Sequence, residues 1–168
     1  QISTTQSKFG GSSMYFDGAG STGLVGYGQS TSALRTGDFT VEAWVYLNSL
    51  PGSGASIVDI NDSQSTGRIS FYINSSGQLG SDTYNANLAT STGTIAAGAW
   101  YHVAFVRSGT GSGQYLFFIN GNAAGTGTVS LDATNTTVYV GRDRGASYML
   151  NGYIDDLRIT KGYARYVQ

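Results

Sequence analysis

The chain has 168 residues, of which 25 are Gly and none Cys, and 9 Lys+Arg against 10 Asp+Glu give a formal net charge of −1. Charged residues are 11%, well under the ~25% of an average domain, yet 12 Tyr, 7 Phe and 2 Trp supply the aromatic mass that disordered chains lack. These numbers exclude the basic footprint of a nucleic-acid binder, thiol chemistry and Cys-based zinc sites, and any apolar run near the ~20 residues of a membrane helix. The length fits one domain, large enough to bury a core without a disulfide or metal. The polar start, residues 1–6, lacks the charged and apolar regions of a signal peptide. Residues 1–7 read as a linker or N-terminal extension of a longer chain, and 8–168 as a single domain. Matches to the Asn-x-Ser/Thr acceptor pattern at Asn61, Asn74 and Asn135 read as chance in so Asn-, Ser- and Thr-rich a chain.

In chain order, β-branched and aromatic runs predict strands at 13–16, 24–27, 39–47, 57–60, 68–73, 101–107, 115–119, 137–140 and 153–160. The alternation is clearest in the third run, where Phe39, Val41, Ala43, Val45 and Leu47 share one face and Thr40, Glu42, Trp44 and Tyr46 the other. Asn120-Gly121 tolerates the positive φ of a tight hairpin, so residues 123–129 are expected to return antiparallel to 115–119. Residues 109–113 read as a flexible hairpin loop. Single helical turns are expected at 30–34 and 162–166, and no stretch supports a long helix. Many short strands punctuated by Gly, Ser, Asn and Asp indicate an all-β, two-sheet antiparallel jelly-roll sandwich.

Four segments carry a family resemblance. Residues 13–18 read SMYFDG, 38–46 read DFTVEAWVY, 100–107 read WYHVAFVR, and VYVGR at 138–142 is followed by LNGYIDDLRI at 150–159. In this order they resemble the concanavalin A-like, laminin G-type jelly rolls, notably those appended to phage and bacterial surface proteins. The resemblance spans roughly residues 8–166 and implies two stacked antiparallel sheets with adjacent terminal strands. It does not imply an activity, because this fold hosts lectins, glycosidases, lyases, adhesion modules and structural parts.

Polysaccharide hydrolysis needs two carboxylates across the scissile bond. Glu42 is the only Glu, so the paired-Glu strand motif of the β-glucanase branch is missing. His102, the only His, alternates with Val103 and Phe105 and reads as a strand residue hydrogen-bonded to a neighbouring element. No nucleophile elbow and no metal-ligand spacing stands out, so no catalytic residue is assigned. Asp59-Ile60-Asn61-Asp62 reads as a strand end with a turn.

Parity places Asp155 with Tyr153, Leu157 and Ile159, provided that no bulge intervenes. In several branches of the superfamily an aspartate at the start of the last strand helps to hold a structural calcium near the first strand. The resemblance therefore implies calcium at Asp155, with Asp17 as local partner, since calcium takes hard oxygen ligands. The alternatives are a salt bridge from Asp155 or Asp156 to Arg158 or Arg107, and a turn cap by Asp17.

Aromatic rings that stack on sugars, with amides and guanidiniums that fix hydroxyls, occur in two expected loops. One offers Tyr84 and Asn85, the other Arg142, Arg144 and Tyr148. Two guanidinium forks favour carboxylate or phosphate groups and so an acidic glycan. Solvated loop tips, with Asp143 neutralising the two Arg, are the alternative. Trp44 and Tyr46 lie opposite the inner face, where a covering loop is expected to pack on the Trp. The expected function is a non-enzymatic surface-recognition module for carbohydrate on a viral or bacterial surface structure, extracellular or on a virion. A structural tail, fibre or capsid-decoration subunit is the alternative, and a glycan-degrading enzyme using two Asp from separate strands is the third reading. The partners expected are a cell-surface glycan or a neighbouring structural protein; a homo-oligomer suits either, and no nucleic acid or membrane insertion is expected.

Overall fold

The computed structural model describes residues 1–19, 23–26, 34–62, 67–83, 87–109, 114–128 and 131–167. Its strands are β1 (Ile2–Ser3), β2 (Ser13–Asp17), β3 (Leu24–Gly26), β4 (Phe39–Leu47), β5 (Gly54–Ile60), β6 (Ile69–Asn74), β7 (Gln78–Asp82), β8 (Asn87–Thr94), β9 (Trp100–Ser108), β10 (Gln114–Ile119), β11 (Asn122–Thr128), β12 (Val138–Val140) and β13 (Asn151–Lys161). Among the described residues they form a seven-stranded sheet, β1-β2-β13-β4-β9-β10-β11, and a six-stranded sheet, β3-β12-β5-β6-β7-β8. Neighbours pair antiparallel in both sheets, and no helix occurs among these residues. This is the jelly-roll sandwich that the alternation predicts.

The core lies between the sheets. Phe39, Val41, Ala43, Val45 and Leu47 of β4 are all buried, as their shared parity requires. Across the interface the Phe71 ring stacks 5.7 Å from Phe105 and 6.2 Å from Phe117. Arg107 also points inward: it is fully buried, its Nη1 donates to the carbonyls of Arg35 and Leu131, and its guanidinium lies 5.6 Å from the Tyr115 ring. It thus satisfies loop carbonyls at one end of the sandwich, where Arg35 and Ala133 form a bridge.

The outer face of the seven-stranded sheet is covered at its centre. Residues 162–166 form an irregular strap, not the helical turn expected there. Thr40 Oγ1 donates to the Tyr163 carbonyl and accepts from the Arg165 amide, and Tyr166 packs on Phe118. Glu42 anchors the strap, taking Arg165 Nε at 2.8 Å and the Tyr166 hydroxyl, with His102 Nε2 at 3.3 Å. On the same face Lys8 Nζ sits 4.1 Å from the Trp44 ring and Phe9 meets that ring edge-on. Trp44 is therefore packed under a covering loop, and His102 is held by the neighbouring strand.

The Asn120-Gly121 turn has positive φ at both residues, 51° and 79°, and joins β10 to β11 in the expected hairpin. Strands β9 and β10 pair down to Ser108 and Gln114; the loop expected at 109–113 lies outside the described residues beyond Gly109, as does the turn expected at 30–34 before Leu34. Strands β7 and β8 were not predicted, and neither was β1, which pairs with β2 from inside the segment read as linker or extension.

Candidate functional site

The outer face of the six-stranded sheet carries a polar pocket. Along β6, Ile69, Phe71 and Ile73 enter the core, so Ser70, Tyr72 and Asn74 must face outward. Register sets Ser56 of β5 opposite Tyr72, Asp59 opposite Ser70, and Gly80 of β7 opposite Tyr72. A bulge between Ser56 and Val58 lets Ser56 and Asp59, three apart, share that face. The loop after β12 supplies the remaining wall. A cavity of about 200 Å³ results, lined by Ser56, Arg68, Tyr72, Asp82, Asp143 and Tyr148 among others.

Two glycines make room for its tyrosines. A Cβ on Gly80 would lie 2.4 Å from Tyr72 Cζ, and one on Gly54 would lie 2.8 Å from Tyr148 Cδ1. Both rings therefore lie down against the sheet backbone. The loop carrying Tyr148 is wound around Asp143, whose Oδ1 accepts the amides of Ser147 and Tyr148 and whose Oδ2 accepts that of Gly145.

Ionic contacts set the floor. Arg68 Nε donates to Asp59 Oδ1 at 2.8 Å and its Nη1 meets Asp82 Oδ1 at 3.2 Å. Asp59, fully buried, also accepts the Arg144 amide and Asn61 Nδ2. Burial alone would weaken the Arg68 charge, but the hydrogen bond and charge of Asp59, helped by Asp82 and Asp143, outweigh it and hold its pKa above the ordinary value. Burial pushes the Asp82 carboxyl up, and the Ser70 hydroxyl bond and the Arg68 charge counter this only in part. Burial, then the Asp82 charge, also raises the Tyr72 phenol.

Of the predicted contact residues, Tyr148 lines this pocket. Arg142 and Arg144 do not. Arg142 Nε and Nη2 donate to the carbonyls of Asp143 and Arg144, with the guanidinium 5.8 Å from the Tyr139 ring. Arg144 serves through its backbone amide to Asp59. Tyr84 and Asn85 lie outside the described residues. Sequence reasoning missed Ser56, Arg68, Ser70, Tyr72 and Asp82. For Arg68, Ser70 and Tyr72 the signal was present in the polar face of the 68–73 strand, but alternation does not distinguish a pocket from a solvated face; Ser56 and Asp82 lie outside that strand.

The structure does not bring together the two carboxylates expected to share a calcium. A bulge between Asp155 and Arg158, with Asp156 at φ 47°, changes the parity of β13. Asp155 faces outward opposite Trp44, not among the inward residues. Its Oδ2 accepts the amides of Lys8 and Phe9 and its Oδ1 that of Asp156. Asp17 caps its own turn through the Ala19 amide and pairs with Asn151, four positions along β13 from Asp155, roughly 13 Å away at strand rise. No group of three or more His, Cys, Asp or Glu side chains able to hold a metal occurs among the described residues.

The chain belongs to the concanavalin A-like lectin/glucanases superfamily, whose Laminin_G_3 family model matches residues 10–164. Among solved structures it is similar to domains LG4-5 of the mouse laminin alpha1 chain, with 19% identity and a TM-score of 0.65 over 92% of this chain and 44% of that one. It therefore spans less than half of the laminin fragment. It is also similar to domain 4 of AbnA, an extracellular GH43 arabinanase from Geobacillus stearothermophilus solved in complex with arabinotriose. There the identity is 20% and the TM-score 0.71, over 98% of this chain and 77% of the other. A third likeness is to the CBM40 of the Ruminococcus gnavus IT-sialidase bound to alpha2,3 sialyllactose, with 15% identity and a TM-score of 0.59 over 84% and 92%. At these identities the likeness is one of fold. The comparison with curated proteins gave no match.

Proposed function

We propose that this domain is a non-enzymatic carbohydrate-binding module, displayed on an extracellular, bacterial or virion surface, and that the pocket between Tyr72 and Tyr148 holds the sugar. The observation that carries the reading is Ser56. Its residue is 2% exposed, its hydroxyl has no hydrogen-bond partner, and it lines the pocket. A buried hydroxyl left unpaired is costly, and a polyhydroxylated ligand supplies what it lacks. Around it stand two tyrosine rings for stacking and an Arg–Asp pair for hydroxyls, the mixture expected of a ligand site. The fold's likeness to a domain solved with arabinotriose and to one bound to sialyllactose supports the same reading.

Catalysis is disfavoured by the carboxylates themselves. Hydrolysis takes an acid and a second free carboxylate, and here both oxygens of Asp143 and of Asp59 are already bonded. A glycan array probed with the intact chain tests the reading. Saturable binding that is lost in Tyr72→Ala and Tyr148→Ala is expected. No binding, combined with concentration-dependent assembly in sedimentation, overturns it in favour of a structural subunit. Release of reducing ends, abolished by Asp82→Asn, overturns it in favour of an enzyme.

A further inference from the structure

Resting on that reading, we propose that the pocket selects an uncharged sugar residue through a pair of adjacent hydroxyls and rejects carboxylated and sulfated sugars. The charge inventory supports this first. Asp59, Asp82 and Asp143 surround a single cation, Arg68. An incoming anion meets like charge in a partly desolvated space, where repulsion is stronger than in water.

The donor geometry supports it independently. An acidic group is best held by a bidentate guanidinium fork. Arg68 already holds Asp59 through Nε and Asp82 through Nη1, so an incoming anion would compete with two carboxylates that are in place. Arg142, whose guanidinium could have served, is committed to the carbonyls of its own loop. The arginines that pointed to an acidic glycan in the sequence are therefore not those of the pocket.

What remains suits hydroxyls. Asp82 Oδ1 accepts from Ser70 and lies 3.2 Å from Arg68 Nη1, and both residues of this pair line the pocket. An acceptor next to a donor reads two neighbouring hydroxyls, since each can give and take a hydrogen bond. The Ser56 hydroxyl, unpaired and closed to solvent at the pocket wall, becomes a third contact when its side chain turns toward the sugar. A cavity of about 200 Å³ is smaller than the ~300 Å³ lower bound of drug-sized pockets, which matches one sugar ring.

The test compares neutral glycans with their carboxylated and sulfated derivatives on one array, followed by calorimetric titration of the strongest hit. Binding of neutral glycans at least tenfold tighter than of their acidic derivatives is expected. Asp82→Asn should weaken neutral binding about tenfold and narrow the gap. Ser56→Ala should weaken it while leaving Tm unchanged or raised, because it removes a buried hydroxyl that had no partner, so a folding defect cannot account for its loss. Acidic glycans bound as tightly as neutral ones overturn this inference and leave the carbohydrate-binding reading standing. So does neutral binding that neither variant alters. An array blank for every glycan overturns the reading itself, and this inference with it.

Discussion

The ring of Tyr72 lies so close to Gly80 that a Cβ there would come within 2.4 Å of Cζ. The two residues are register partners on neighbouring strands, so the missing side chain of one is the resting place of the other. Gly80→Ala should push the ring into the cavity and lower glycan affinity about tenfold. The far end of a Tyr side chain can swing away, so the expected change in Tm is small. Titration and thermal melting of the same sample check both outcomes.

Glu42, buried at 5% exposure, gathers Arg165, Tyr166 and His102. Glu42→Gln removes the charge while keeping the shape. Discounted because Arg165 is 38% exposed, the loss should be about 1.5 kcal/mol, lowering Tm by roughly 3–6 °C. The Arg165 amide, which donates to Thr40 Oγ1, should exchange with solvent faster. Unchanged exchange would show that the strap is held by packing and not by Glu42.

Arg107 is among the largest fully buried side chains of the described residues. Arg107→Met retains much of the apolar stem but takes the Nη1 donor from the carbonyls of Arg35 and Leu131. Orphaned buried acceptors make the expected loss about 3 kcal/mol, or roughly 6–12 °C in Tm. Denaturant midpoints of the two proteins measure it.

Asp62 ties the segment after β5 to the one before β12. Burial would raise its pKa, but hydrogen bonds from Thr137 and Thr136 outweigh that and lower it from the ordinary 3.8. A depressed carboxylate stabilises the fold above its unfolded pKa, and that contribution is lost as pH falls through the folded value. Asp62→Asn should therefore cost about 1 kcal/mol at pH 7, reduced by solvent screening, or roughly 2–4 °C in Tm. The gap between variant and parent should narrow as pH falls below the ordinary carboxylate value and through the lower folded one, which melting curves across pH can follow.

Where side chains alternate strongly, the strands were legible: β4 has the predicted ends, and β9, β10 and β13 lie within two residues of theirs. Strands β7 and β8 escaped because Gln78–Asp82 and Asn87–Thr94 are built mainly of small and polar residues. Their inward positions are held by Leu79, Leu88 and Ala89, too few for a period to show. In the site, Tyr148 could be read from its loop, but Asp82 ends one of those illegible strands. The parity expected of Asp155 holds for Tyr153, which shares its outer face, and fails for Leu157 and Ile159, which lie beyond the bulge in β13, since one irregular position reverses every parity argument past it.

Composition and local order thus settled the architecture. Gly-punctuated, aromatic-rich alternation with scarce charge admits a sandwich and little else, because period and turn chemistry are properties of neighbours along the chain. The pocket was decided elsewhere. Residues 56, 72, 82 and 148 meet only through strand register, a bulge in β5 and a loop folded around Asp143. Convergence is a property of distant residues, and periodicity carries no information about which distant residues become neighbours.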